Sequence, residues 1–372
     1  MIHTFSTQQE ISFNELQFLR AGFHFPEEQL QPLFATSANP RISFNIGSTS
    51  PSNGFHILTF YRYDDPHTLQ HQFYVFIEVD PQVMIISRRT IELFRPDNYH
   101  ISLLERRFAD NMRVYTTDEK FTQLSNWLCQ RIDYTHNFRF NSAENKNLFL
   151  ELTRKCSNYF RRQDTYISTI PRSEQSTAER NGSVKVIFYD KQEQLEHLYG
   201  GNYHVLTDEE LSLIEQAENI IRFEVQCYKP RIRNFLNKYN LDSRSILNYL
   251  NADIARDILL TEYDRSVGRG EFMYRYRAKK LIDSSDFRPS TKAKLFQTMQ
   301  LIAQARHIDS AKNQFIAGGT RIKRTNIVVE GSANTFRNRL KHIRSLDLHP
   351  VLIPKDRGIP QFTNPIYQLE QL

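Results

Sequence analysis

Runs of residues suited to β-strands stop about two-thirds of the way along this chain. Five stretches are dense in aromatic and β-branched residues: GFHILTFYRYD (54–64), HQFYVFIEVDPQVMII (71–86), RIDYTHNFRF (131–140), SVKVIFYD (183–190) and IIRFEVQCYKP (220–230). From about residue 240 the spacing turns helical, in SRSILNYLNADIARDILLTEYDRS and STKAKLFQTMQLIAQARHIDSAKNQF, and strand signals become rare. Helical patterns also separate the strands, over 117–130, 145–163 and 207–220. Residues 1–35 read as polar with short helical or coil pieces such as FNELQFLRAGF, and 170–183 as a polar, turn-rich loop. This order predicts an α+β protein: an N-terminal domain over 1–240 and a mostly helical, basic domain over 241–372. A length of 372 residues agrees with about two domains.

Composition removes several function classes. There is no GxxxxGK[ST] and no GxGxxG, so no glycine-rich loop is available to cradle a nucleotide. Cys129, Cys156 and Cys227 are widely spaced and form no CxxC pair, and no two histidines make an HxH or HExxH pattern. No apolar run approaches the roughly 20 residues of a membrane helix, and MIHTFSTQQE has no secretory leader pattern. A soluble, cytoplasmic protein without a membrane partner is the expectation. With 27 Phe and 18 Tyr the core should be large and aromatic. The net charge of +6 leans toward polyanionic partners.

Four groups of residues carry candidate chemistry. In SVKVIFYDKQEQ, Tyr189 ends an apolar run, and Lys191 follows two residues later with Glu193 beyond it. A tyrosine is a nucleophile only when its phenolate is stabilised or its proton removed, a role open to Lys191. From this stretch alone, the same residues read first as a strand end with solvated charges. In RID, Arg131 and Asp133 share a strand face; in RFE, Arg222 and Glu224 do the same. Arg–acid pairs on strands are usually structural, but carboxylates from neighbouring strands facing one way make an oxygen site for Mg2+ or Mn2+. Glu78, alternating with Val79 and expected to share a face with Asp80, is a third such carboxylate. Finally, Arg337, Lys341 and Arg344 fall along one face of a helix, with Arg339 flanking and Phe336, Leu340 and Ile343 inward. Lys229, Arg231 and Arg233 in KPRIRNF form a second basic cluster.

The order IEVDPQ, RIDYTHN, VIFYDKQEQ, IRFEVQCYKPRIRNFL resembles the phage and plasmid replication proteins of the filamentous-phage gene II/gene X type, which initiate rolling-circle replication. The resemblance covers roughly residues 70–240, with a weaker echo in TFRNRLKHIRSLDLHPVLIP. It implies a mainly antiparallel sheet flanked by helices. It also implies site-specific nicking of origin DNA by Tyr189 through a 5′-phosphotyrosyl intermediate, with Lys191 stabilising charge. A divalent cation, Mg2+ or Mn2+, is implied; Asp133 and Glu224 match family positions, and Glu78 and Glu193 complete the expected ligand set. The expected DNA contacts are Arg131, Arg222, Lys229, Arg231, Arg233, Arg337, Arg339, Lys341 and Arg344. Implied partners are the double-stranded nick site, the displaced single strand, a host helicase and a polymerase, and a homodimer is one assembly the reading allows. The chain departs from many related initiators in having no histidine–hydrophobic–histidine motif. The alternative is a DNA-binding replication regulator that kept the fold without the catalysis.

Overall fold

The computed structural model describes residues 1–34, 40–45, 53–64, 70–156, 176–180, 182–200 and 206–372. The chain is α+β, and its long strands form one sheet. They are β1 (Ile2–Ile11), β2 (Arg41–Asn45), β3 (Phe55–Asp64), β4 (His71–Val79), β5 (Leu128–Arg139), β6 (Ser176–Arg180), β7 (Val184–Asp190) and β8 (Ile220–Tyr228). The order is β2-β3-β4-β1-β5-β8-β7-β6. The pairs β2–β3, β3–β4, β4–β1 and β1–β5 are antiparallel. After Tyr228 the long elements are helices, Lys229–Lys238, Ala252–Ser266, Arg275–Asp283, Pro289–Ala305, Ile308–Ala317 and Ala333–Arg344, and strands are two residues long. Among the described residues no helix is long and apolar enough to cross a membrane.

Two compact units divide the chain, and both are discontinuous. The first holds Met1–His136, Gly182–Lys185 and Glu224–Ile258; the second holds Asn137–Asn181, Val186–Phe223 and Leu259–Leu372. Each has an aromatic core. In the first, Trp127 and Phe108 meet edge to face at 5.9 Å, and Phe108 meets Phe55 at 5.6 Å. In the second, Phe188 stacks on Phe223 at 4.6 Å, and Phe138 packs against both Phe223 and Phe149.

Several local expectations change. The N-terminus, expected as coil or short helix, opens with a ten-residue strand, followed by the helix Phe13–Gly22. Strand β1 lies between β4 and β5, so both its edges are hydrogen-bonded, and that pairing holds a Thr-, Ser- and Gln-rich sequence extended. Asp80 leaves the face of Glu78: its Oδ1 accepts from the Val83 amide at 2.9 Å and caps the helix Pro81–Ile86. The helix expected over 117–130 shrinks to Glu119–Thr122, capped by Asp118. Burial of Trp127, whose Nε1 donates to the Phe121 carbonyl at 3.0 Å, turns the chain into β5 at Leu128. Within the expected 170–183 loop, residues 176–180 form β6; residues 170–175 and 181 lie outside the described residues. The helix expected over 145–163 is Ala143–Thr153, and 157–163 lie outside the described residues. Pro230 occupies the first turn of the helix Lys229–Lys238, which follows β8 directly, and there its missing N–H costs nothing.

Candidate functional site

In the first unit, strand pairing gathers residues that are far apart in sequence. Ser6 is opposite Glu78 on one side and opposite Arg131 on the other. A serine between them leaves room for the Arg131 guanidinium to reach over β1, and its Nη1 lies 3.1 Å from Glu78 Oε2. The same guanidinium closes on Asp133, with Nε 3.1 Å from Oδ1 and Nη2 3.0 Å from Oδ2. One extra residue in β1 between Ile2 and Phe5, a β-bulge, re-aims this end of the strand. The Thr4 hydroxyl there donates to Asp133 Oδ2, and His3 Nδ1 lies 3.3 Å from Glu224 Oε2. Glu224 Oε1 accepts from Gln226 Nε2 at 2.6 Å. RID and RFE are brought together because β5 and β8 are neighbours in the sheet, which spacing alone could not establish.

The electrostatics follow from this crowding. Burial, with the Glu224 carboxylate adding repulsion, pushes the Asp133 carboxyl up to about 7 against the pull of Arg131 and the Thr4 hydrogen bond. Asp133 and Glu78, with Glu224 a weaker contributor, hold Arg131 firmly protonated despite its burial. Among the described residues, no three His, Cys, Asp or Glu side chains converge to hold a metal ion. Asp133 and Glu224 nevertheless supply hard oxygen donors, and Mg2+ is commonly held by one or two carboxylates while water and substrate phosphate fill its other positions. In donor chemistry the pair suits Mg2+ or Mn2+; Glu78, tied to Arg131, stands beside it. The fourth expected ligand, Glu193, belongs to the second unit, in the first turn of the helix Lys191–Leu198.

On the same face of the first unit's sheet, β3 and β4 carry half-exposed rings that the sequence reading did not single out. Tyr61 lies 6.2 Å from Tyr74 and 6.1 Å from Phe76, and the Arg41 guanidinium sits 5.4 Å above the Tyr61 ring. The signal was present in the alternation of FYRYD and QFYVF, whose other positions, Phe60, Val75 and Ile77, are buried.

In the second unit, Tyr189 is the penultimate residue of β7. Phe188 faces the aromatic core, so Tyr189 points to the other side, where it is 8% exposed and packs with Ile187. Asp190 ends the strand and caps the next helix, accepting from the amides of Gln192 at 3.0 Å and Glu193 at 3.3 Å. Its other oxygen meets Lys146 Nζ at 2.6 Å, a buried pair. Lys191 is thus the first residue of a helix, not a strand residue on the Tyr189 side, and its Nζ donates to Gln194 Oε1 at 2.6 Å.

The expected DNA contacts divide by exposure. Arg222 is 1% exposed and donates from Nε to Asn137 at 2.9 Å, so it offers DNA no surface. Arg131 is occupied by the carboxylates. Lys229 and Arg233 are exposed and Arg231 half-buried; burial, with Arg233 and Arg244 nearby, holds the Lys229 ammonium below its ordinary range. On the helix Ala333–Arg344, Phe336, Leu340 and Ile343 are buried as expected, and Arg337 and Lys341 are exposed. Arg339 instead lies 4.8 Å over the Phe315 ring, and Arg344 is largely enclosed, which pulls its guanidinium down from its ordinary range. His67 and His204 lie outside the described residues. Compared with known proteins, the chain matches no family model, no curated protein and no solved structure.

Proposed function

We propose that this protein is a rolling-circle replication initiator that nicks origin DNA and later rejoins it. The observation that carries the reading is that Asp133 and Glu224, on the neighbouring strands β5 and β8, are both buried, with the Glu224 carboxylate helping to raise the Asp133 carboxyl. Two acids buried side by side are costly to keep charged, and such arrangements cluster where chemistry is done. The half-exposed rings of Tyr61, Tyr74 and Phe76 on the same face give unstacked bases something to lie on, which suits a single-stranded substrate.

In the proposed reaction the Tyr189 oxygen attacks the scissile phosphorus. The Tyr189 proton passes to water, the bond from phosphorus to the 3′ oxygen breaks, and that oxygen takes a proton from water and leaves as a hydroxyl that primes synthesis. The phosphotyrosyl bond stores the energy of the cleaved linkage, so rejoining needs no nucleotide. A divalent cation held by Asp133 and Glu224 would supply charge neutralisation to a phosphate bound at the first unit. Arg131 and Thr4 hold Asp133 in place, and Gln226 holds Glu224. Lys191, at the start of its helix, is the cation nearest in sequence to the nucleophile.

The test uses a single-stranded origin oligonucleotide with a label on the 3′ side of the nick. Wild-type protein with Mg2+ should become labelled; Tyr189→Phe should bind the DNA and stay unlabelled, and Asp133→Asn should lose labelling by about 100-fold or more. Labelling of Tyr189→Phe at the wild-type level would discard the assignment. The low exposure of Tyr189 favours a second reading, a DNA-binding replication regulator without catalysis. Relaxation of supercoiled origin plasmid separates the two, since the regulator binds the plasmid and leaves it supercoiled.

A further inference from the structure

The positive charge of this chain is concentrated in one segment. Between Arg288 and Arg344 there are twelve Lys or Arg and two acids, Asp309 and Glu330, although the whole chain has an excess of only six. The remaining residues are therefore net acidic. The segment folds as three helices, Pro289–Ala305, Ile308–Ala317 and Ala333–Arg344, which pack pairwise around Leu295, Met299, Ile302, Phe315, Phe336 and Ile343. Between the second and third helices stands a two-stranded antiparallel hairpin, with Thr320 opposite Val329 and Arg321 opposite Val328.

The hairpin is fixed at its base. The Gln304 side chain donates to the Arg321 carbonyl at 3.1 Å and accepts from the Lys323 amide at 2.9 Å. Thr320 Oγ1 donates to the Gln314 carbonyl at 3.2 Å, and the Gly331 amide to the Phe315 carbonyl at 3.1 Å. A Cβ at Gly331 would lie 2.7 Å from the Phe315 ring, so only glycine lets the hairpin close onto the helix. The tip is closed by Ile322 N donating to Ile327 O at 2.9 Å. Arg321, Lys323 and Arg324 are exposed, as are Arg337 and Lys341 on the third helix. None of these five has an acidic partner among the described residues. Arg339 and Arg344, by contrast, are spent on packing.

The aromatics of the segment narrow the occupant. Phe315 and Phe336 are buried, and Phe296 is covered by Arg275 at 5.6 Å and Lys279 at 5.9 Å. The three phenylalanines of the segment therefore offer little of the stacking surface that binders of single strands use. What remains is an array of fixed cations and a narrow ribbon. The major groove of B-form DNA admits a two-stranded ribbon, whereas that of A-form RNA is too deep and narrow. We propose that residues 288–344 form a module that holds double-stranded DNA by its phosphates, with Arg321, Lys323 and Arg324 of the hairpin and Arg337 and Lys341 of the third helix as the contacts. The proposal adds a duplex-holding device to the initiator reading but stands whether or not Tyr189 cuts DNA.

The experiment measures binding of the full chain to a fluorescent B-form duplex of arbitrary sequence across a salt series. The variant carries Arg321→Gln, Lys323→Gln and Arg324→Gln together; all three side chains are exposed, and an unchanged melting temperature verifies its fold. Each phosphate contact contributes about 0.9 to the slope of log affinity against log salt, so the variant's slope should be shallower by roughly 2 to 3, with affinity at moderate salt down tenfold or more. The duplex carries no origin sequence and the assay reads no cleavage, so failure of the nicking reading leaves the result intact. An unchanged slope in the triple variant would overturn the proposal, as would tighter wild-type binding to double-stranded RNA than to the DNA duplex, or no binding to the duplex at all.

Discussion

Asp133 shows how a single carboxyl ties stability to acidity. Its folded-state value of about 7 lies above the ordinary carboxylate value near 3.9. The folded protein therefore binds this proton more tightly than the unfolded chain does. The resulting stability is fully present below about pH 4 and is lost as pH rises through about 7. On the proposed reading a divalent cation held by Asp133 would compete with that proton, so its affinity would rise over the same window. We expect Mg2+ to raise the melting temperature more at pH 8 than at pH 6, and Asp133→Asn to abolish the difference. Equal Mg2+ effects at the two pH values would remove Asp133 from the cation site. RID was legible as a motif, yet its environment was not. Thr4 and His3 come from a strand whose bulge breaks the alternation that would have announced it, and Ser6 matters only for being small.

Among the elements, the turn from β7 into its helix is the most constrained. One residue, Asp190, ends the strand, caps the helix and meets Lys146 in the interior. Replacing Lys146 by Met would leave that carboxylate buried and unpaired, at a cost of about 3–5 kcal/mol. Chemical denaturation of Lys146→Met should read this loss, and the double variant Lys146→Met/Asp190→Asn should recover part of it. A loss below about 1 kcal/mol would mean that water reaches the pair. The sequence made the strand and the helix visible through their two periods. It could not place Lys191, because the cap moves the chain off the strand one residue before it. The helices after residue 240 were legible for the ordinary reason that Phe336, Leu340 and Ile343 repeat at helical spacing. The failure at 117–130 has an equally local cause, since Trp127 is apolar in either period and only its burial decides between them.

At the scale of the whole chain, the two units do not follow a cut at residue 240. Residues 241–258 belong to the first unit, where the Cys129 amide donates to the Arg244 carbonyl at 2.8 Å and the Tyr134 hydroxyl to the Tyr249 carbonyl at 3.0 Å. A fragment ending at residue 240 would expose the pocket left by Ile246, Tyr249 and Leu250. Such a fragment should melt without a sharp transition and bind a hydrophobic dye; cooperative melting would contradict the division. Composition pointed to two bodies but could not say which segments each one takes, because that depends on pairings between distant strands. The uneven spread of charge has a practical corollary. An isoelectric point near 9.1 averages two opposite characters. Proteolytic loss of 288–344 would turn a protein retained by a cation exchanger into one retained by an anion exchanger, so the column that captures the intact chain would let the trimmed one flow through.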